Sequence, residues 1–192
     1  MNPNEWPNGY RFFPSLAVSR GRYALRAITW EDRINIRRWR NEQISVLRQR
    51  ESLSLKEQNQ YFRDVIAKQM LLPRPAQVLV GYLEDNSLVG YGGLVHIQWE
   101  RKCAEVSFLT ETGRNTEEGF RSDWFRFLDM VIEIAIEGLS LKRLTVEVYS
   151  IREDVETFIK EYGFVQEETF VRRQSDDAAL SGSHFYGLDL KA

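Results

Sequence analysis

One cysteine, Cys103, stands in 192 residues, so no internal disulfide can form and a reducing, cytoplasmic setting is expected. The two histidines, His96 and His184, lie far apart with no cysteine cluster near them. That spacing does not suit a structural zinc site, and no metal is expected. No apolar run is long enough to span a bilayer, and the first residues lack a basic-then-apolar pattern. Neither a membrane partner nor a secretory leader is therefore expected. Charge of neither sign predominates: 26 Lys and Arg oppose 28 Asp and Glu, a formal net charge of −2. Such a surface exerts no overall pull on nucleic acid or anionic lipid. The densest basic run, Arg33, Arg37, Arg38 and Arg40, is interleaved with Glu31, Asp32 and Glu42, which reads as a solvated helix face rather than an RNA contact.

What is present fits one globular domain, because 43% apolar residues suffice for a sizeable core. Residues 1–21 read as an irregular arm whose Trp6, Tyr10, Phe12 and Phe13 are too many rings for a disordered tail. This arm is expected to pack on the body, residues 22–192, or on a second subunit as a homodimer. A first strand is expected at 22–28, then a helix from Thr29 to about Asn41 and a second opening on the Ser54/Glu57 capping box and stopped by Pro73 and Pro75. Residues 77–83 and 88–99 flank the turn 84–87 as an antiparallel pair, and a third strand follows at 103–109. A long helix at about 122–137 carries the stripe Phe120, Trp124, Phe127, Leu128, Val131 and Ala135. After a strand at 144–149, Val155, Phe158, Ile159 and Tyr162 mark one face of a helix, Gly163 suits its left-handed cap, and Phe164 begins the last two strands.

The order of these elements, the hairpin segment Val89-Gly90-Tyr91-Gly92-Gly93-Leu94-Val95, the strand Ala104-Glu105-Val106-Ser107-Phe108-Leu109 and the ending Tyr162-Gly163-Phe164 resemble the GNAT acyltransferases. The resemblance implies an α+β fold: a mixed, mostly antiparallel sheet of about seven strands flanked by four helices. The run Arg38-Trp39-Arg40-Asn41 resembles members that acetylate amino sugars or protein N-termini.

Amine acetylation needs a base to free the nitrogen lone pair, and donors for the carbonyl oxygen on which charge grows. The resemblance assigns Glu105 as base, against the plain reading of a glutamate on the wetter face of a sheet. It assigns the backbone of Phe108, Leu109 and Thr110 to the thioester. The family's phosphate turn, Arg/Gln-x-x-Gly-x-Gly/Ala, is degenerate here. Counting from the end of the long helix aligns it with Gly119-Phe120-Arg121-Ser122-Asp123-Trp124, beside Glu117 and Glu118. Gly119, Arg114, Arg121, Ser122 and Arg152 are then the candidates for the phosphates, although Arg114 reads equally as balancing local acids. The family's proton-donating tyrosine aligns with Ile159, which leaves Tyr149 and Ser150 for that role. Trp39, Arg40, Asn41, His96 and Trp99 are the expected acceptor-side residues, with a core anchor as the other reading of Trp39.

The resemblance therefore implies transfer of an acetyl group from acetyl-CoA to a primary amine of a small molecule, with an amino sugar nucleotide as the expected acceptor. A non-catalytic module of the same fold and a protein N-terminal acetyltransferase are the rival readings.

Overall fold

Period-two alternation in the strands and apolar faces on the helices assemble into one sheet covered on both sides. The structure, a computed structural model, describes residues 6–47, 49–149, 153–167 and 183–191, without the side chains of Glu117 and Glu153. Strands β1 (Ala17–Arg20) and β2 (Tyr23–Ala27) precede helix α1 (Arg33–Glu42). Helices α2 (Leu55–Tyr61) and α3 (Ala67–Leu71) form one rod through the wide turn Phe62–Ile66. Strands β3 (Val78–Glu84), β4 (Ser87–Gln98) and β5 (Cys103–Thr110) follow, then helix α4 (Glu117–Glu133) with a wide last turn, Ile134–Gly138. Strand β6 (Arg143–Tyr149), helix α5 (Glu153–Tyr162) and strands β7 (Val165–Gln166) and β8 (Ser183–Asp189) complete the chain.

The sheet order is β1-β2-β3-β4-β5-β6-β8-β7, and every pair is antiparallel except β5 with β6. This is the α+β GNAT fold, with eight strands rather than about seven, and four helical rods, among the described residues. The eighth strand is β1, which lies within the arm read as irregular and pairs with β2 from Ala17↔Arg26 to Arg20↔Tyr23. The rest of the described arm also docks on the body. Trp6 Nε1 donates to the Ile28 carbonyl at 3.1 Å, and Tyr10 is fully buried.

Local chemistry accounts for the boundaries. Asp85 and Asn86 take φ of 47° and 64°, the pair of left-handed residues that a two-residue hairpin requires. The Ser54/Glu57 capping box forms with both reciprocal bonds present. Helix α5 ends in a Schellman motif: the Phe164 N–H reaches the Ile159 carbonyl at 3.0 Å and the Gly163 N–H reaches Lys160 at 3.0 Å, with Gly163 at φ 116°. Helix α1 starts later than Thr29. The Asp32 carboxylate accepts from the Thr29 N–H at 2.8 Å and from Arg26 at 2.6 and 2.9 Å, so residues 29–32 form a braced turn.

Successive residues of β4 show the two layers. A side chain at Gly92 would meet Phe127 of α4, whereas the Tyr91 hydroxyl on the opposite face meets Arg40 of α1. The core on the α4 side is aromatic, with Phe108 stacked on Phe127 at 4.1 Å between centroids and Tyr82 edge-on to both rings. Among the described residues no helix is long and apolar enough to cross a membrane.

Candidate active site

The parallel pair β5 and β6 is joined by only three rungs, Cys103↔Arg143, Ala104↔Leu144 and Glu105↔Thr145. Beyond Glu105 the ladder between them ends, although β5 stays paired with β4 as far as Gly90↔Thr110 and β6 with β8 as far as Tyr149↔Ser183. Residues 106–109 and 146–149 therefore flank a gap in the sheet. On β5 the backbone groups of 106–109 that face the gap have no ladder partner on β6 among the described residues and can serve a ligand or water. The gap opens into a cavity of about 920 Å³ lined from both faces of the sheet. Phe120, Trp124 and Val155 come from the α4–α5 side, and Arg40, Tyr61 and Tyr91 from the α1–α2 side.

Glu105 lies on the last rung, lines this cavity and is half-buried. Alternation along β6 puts Glu147 on the same face, two residues past Glu105's partner Thr145, and it also lines the cavity. Tyr149 is two residues further on, at the far edge of the gap. On β4 the register shifts between Val95 and Gln98, and His96 in that bulge takes φ of 52°, a conformation uncommon for a non-glycine residue. Val95, opposite Glu105, and His96 both line the cavity.

At the α1 end, Arg40 donates from Nη1 to the Tyr91 hydroxyl at 3.0 Å and from Nε to Gln49 Oε1 at 3.0 Å. Tyr91 holds the guanidinium above its ordinary pKa, and burial pulls the other way. Burial pushes the neighbouring Tyr61 hydroxyl up. Asn41 pins the loop over this end. It donates to the Leu53 carbonyl at 3.0 Å and accepts from the Leu53 N–H at 2.8 Å and Gln49 Nε2 at 2.9 Å. Asn41 thus positions the site without lining it.

Several sequence expectations are corrected. Trp39 is 1% exposed and belongs to the core, because its spacing turns it inward from α1. Trp99 donates to the Pro75 carbonyl at 2.9 Å and lies outside the cavity lining. Phe108 and Leu109 line the gap, but Thr110 is fully buried on the last rung of the β4–β5 ladder, its carbonyl accepting from Gln43 at 2.9 Å. Arg114 is held by Asp123 and Glu84, at 2.7 and 2.6 Å. Arg121 pairs with Glu161 at 2.6 Å and covers the Phe125 ring at 4.6 Å, facing α5. Ser122 lies in the second turn of α4, beyond its N-terminus. Ile159 is fully buried, as its place on the apolar face demands. Ser150 and Arg152 lie outside the described residues.

The placements of Arg114, Arg121 and Ser122 share one cause. Helix α4 begins at Glu117, with Thr116 as N-cap accepting from the Gly119 N–H at 3.3 Å, five residues earlier than expected. The turn before α4 is therefore Arg114-Asn115-Thr116-Glu117-Glu118-Gly119. In the pattern Arg/Gln-x-x-Gly-x-Gly, Arg114 and Gly119 take the first and last places and a glutamate takes the first glycine's. The Gly119 N–H is already used by the cap, which leaves the N–H groups of Glu117 and Glu118 pointing out of the first turn. The gap suits an extended amide-containing chain such as the arm of coenzyme A, while its phosphates would meet the exposed Glu118 at this helix end. Sequence reading missed Tyr61, Tyr91 and Glu147. The alternation Thr145-Val146-Glu147-Val148-Tyr149 already pointed Glu147 to Glu105's face once the two strands were paired.

The family model described as an acetyltransferase (GNAT) domain matches residues 25–177. No curated protein matches this chain by sequence. Among solved structures, spermidine N-acetyltransferase from Vibrio cholerae in complex with CoA and spermine is similar, with a TM-score of 0.70 at 17% identity over 88% of this chain and 96% of the other. A chimera of that enzyme with the human one gives 0.72 at 16% identity, covering 88% and 95%. A dodecameric form of the Vibrio cholerae enzyme in an intermediate state gives 0.70 at 16% identity, again over 88% and 95%. At these identities the likeness is one of fold.

Proposed function

This chain belongs to the GNAT acetyltransferase family, and from that premise we propose that it moves an acetyl group from acetyl-CoA to the primary amine of a small metabolite. The observation that carries this reading is the position of Glu105, on the last rung of the β5–β6 ladder where the gap opens. A carboxylate there stands between the slot that suits the acyl donor and the cavity beneath α1 and α2 that suits the acceptor.

Acyl transfer joins the amine nitrogen to the carbonyl carbon and breaks the carbon–sulfur bond. One proton must leave the ammonium before attack, and a second passes from the new amide nitrogen to the departing thiolate. Glu105 takes the first, directly or through one water, and Glu147 beside it adds negative charge that favours an ammonium ion at the mouth of the gap. The backbone of Phe108 and Leu109 holds the donor's amide groups and carbonyl oxygen. Tyr149, across the gap, relays the second proton: its hydroxyl protonates the thiolate and is restored by the proton leaving the nitrogen. The N-terminal turn of α4 meets the phosphate end.

Spermidine, named for the structural relatives, and an amino sugar nucleotide are both primary amines that this chemistry accommodates. Calorimetry with coenzyme A and acetyl-CoA, followed by a thiol-release assay with a panel of amines, tests the reading. Binding with amine-dependent thiol release is expected, and Glu105→Gln should cut turnover about 10²- to 10⁴-fold while acetyl-CoA binding is kept. Absence of binding by either nucleotide would point to a non-catalytic module of this fold. Undiminished turnover of Glu105→Gln across the pH range would remove Glu105 from the role of base.

A further inference from the structure

Arg40, like Arg33 and Arg37 of the same helix, has only neutral partners among the described residues, and of these three it alone lines the cavity. Arg26, Arg114, Arg121 and Arg143 each face a carboxylate. Arg40, half-buried in the cavity wall, has no carboxylate within ion-pair distance among the described residues. Its two bonds go to neutral oxygens, the Tyr91 hydroxyl and Gln49 Oε1, and Nη2 has no bond among the described residues. Glu57 lines the same cavity, but its carboxylate is turned to the Ser54 N–H and hydroxyl at 2.8 and 2.6 Å.

A partly desolvated cation without a counter-charge is costly, and it persists where something completes it. The surrounding bonds fix the fork instead of neutralising it. Gln49 is itself tied to Asn41, and Tyr91 projects from the central strand β4. Such a held guanidinium with a bare edge suits a carboxylate or phosphate, which it can grip through two N–H groups.

The opposite end of the cavity has the opposite sign. Glu105 pairs with Val95, and Tyr91, which anchors Arg40, pairs with Leu109. The two ends are thus four residues apart along β4 and β5, or about 13 Å at the level of the backbone. A molecule lying in this cavity meets carboxylates at the gap and a guanidinium beneath α1. A polyamine stretched along it would bring an ammonium group against Arg40.

We propose that the acceptor carries an anionic group, a carboxylate or a phosphate, at the end remote from its reacting amine, and that Arg40 binds that group. The proposal rests on the acetyl-transfer reading for the amine end alone; anion binding at Arg40 is measurable without turnover.

The test compares matched acceptors with the full-length protein: ω-aminohexanoate and ω-aminooctanoate, the phosphate esters of aminohexanol and aminooctanol, hexylamine and octylamine, and spermidine. The anionic acceptors should exceed the alkylamines and spermidine in kcat/KM by about ten- to a hundredfold, the effect of one charge-assisted pair. Whichever anion gives the larger ratio identifies carboxylate or phosphate. In Arg40→Gln this ratio should fall to about one, and Arg40→Lys should restore part of it, while the KM for acetyl-CoA stays put. Hexanoate and hexyl phosphate, which lack the amine, should bind the wild type in calorimetry more tightly than Arg40→Gln. Equal use of all acceptors, or a preference for spermidine, overturns the proposal. If no amine is acetylated, the transfer reading fails, and hexanoate or hexyl phosphate binding that depends on Arg40 still decides this one. Anion binding unchanged in a folded Arg40→Gln protein overturns it independently.

Discussion

Arg114 grips Asp123 through two parallel bonds, Nε to Oδ2 at 2.7 Å and Nη2 to Oδ1 at 2.9 Å, with Asp123 only 1% exposed. The same guanidinium reaches Glu84 at 2.6 Å, and the Tyr82 hydroxyl donates to Asp123 at 3.0 Å. The turn that precedes α4 is therefore riveted to β3. Asp123→Ala leaves Arg114 with Glu84 alone and should cost about 1–3 kcal/mol, read from urea unfolding. Arg114→Met should cost at least as much because it leaves the buried carboxylate only the Tyr82 hydroxyl and the longer pair with Arg126 at 3.4 Å. If both variants unfold like the wild type, the pair contributes nothing to the turn.

Glu84 gives that network a pH dependence of definite sign. The Tyr23 hydroxyl first, and Arg114 second, hold its carboxyl below the ordinary value. A group whose pKa is lowered on folding contributes stability that is complete above the unfolded carboxylate value of about 4.3 and is lost as pH falls through the folded value beneath it. Wild type and Glu84→Gln should thus differ most in urea midpoint near neutrality and converge in acid. A gap that widens on acidification would contradict this assignment.

Gly92 is required by the close approach of β5 and α4. A Cβ there would lie inside the van der Waals envelope of the Ser107 carbonyl oxygen and the Phe127 ring, and the carbonyl is fixed in the ladder. Gly92→Ala should destabilise by at least about 1–3 kcal/mol and broaden the signals of residues around the gap in NMR spectra. Gly21, whose neighbourhood is open but whose φ is +61°, is the control: Gly21→Ala should cost less, from backbone strain alone.

The Tyr10 hydroxyl closes the start of β3. It accepts from the Leu79 N–H at 2.6 Å and donates to the Leu79 carbonyl at 3.0 Å, both buried. The carbonyl also accepts from the Ile28 N–H at 3.3 Å, so Tyr10→Phe orphans chiefly the Leu79 donor. The expected loss is about 1–3 kcal/mol, together with faster exchange of the Leu79 amide.

The architecture was legible because period-two strands, the capping box at Ser54, the Asp85-Asn86 turn and the Gly163 cap are local signals that packing reinforces. Strand β1 was hidden because only Val18 of its four residues is buried, which leaves no alternation to read. Helix α4 starts earlier than expected because counting back from its C-terminal end passes over Thr116-Glu117-Glu118, and a threonine followed by acids is a helix N-terminus. That single shift moved Arg121 and Ser122 away from the helix end and set Arg114 in the turn. In the site, Glu105 could be singled out as a lone carboxylate in an apolar strand. The bond between Arg40 and Tyr91 joins residues 51 apart in sequence, and only the fold brings them together.

The acids at the start of α4 set two effects against each other. A glutamate in the first turn favours the helix through the backbone dipole, yet it repels the phosphates that the same N–H groups attract. Glu118 is exposed in that turn and one residue before Gly119. Removing its charge should weaken the helix end slightly and improve the grip on the donor. Glu118→Gln is therefore expected to lower the KM for acetyl-CoA about two- to fivefold with kcat little changed. The gain should shrink as salt rises, since both partners are exposed and screened beyond about 8–10 Å at ordinary ionic strength. Dephospho-coenzyme A, which lacks one phosphate, should show a smaller gain in competition assays. An unchanged KM at low salt would place the phosphates elsewhere than the N-terminus of α4, and the turn Arg114–Gly119 would then serve only to anchor the helix.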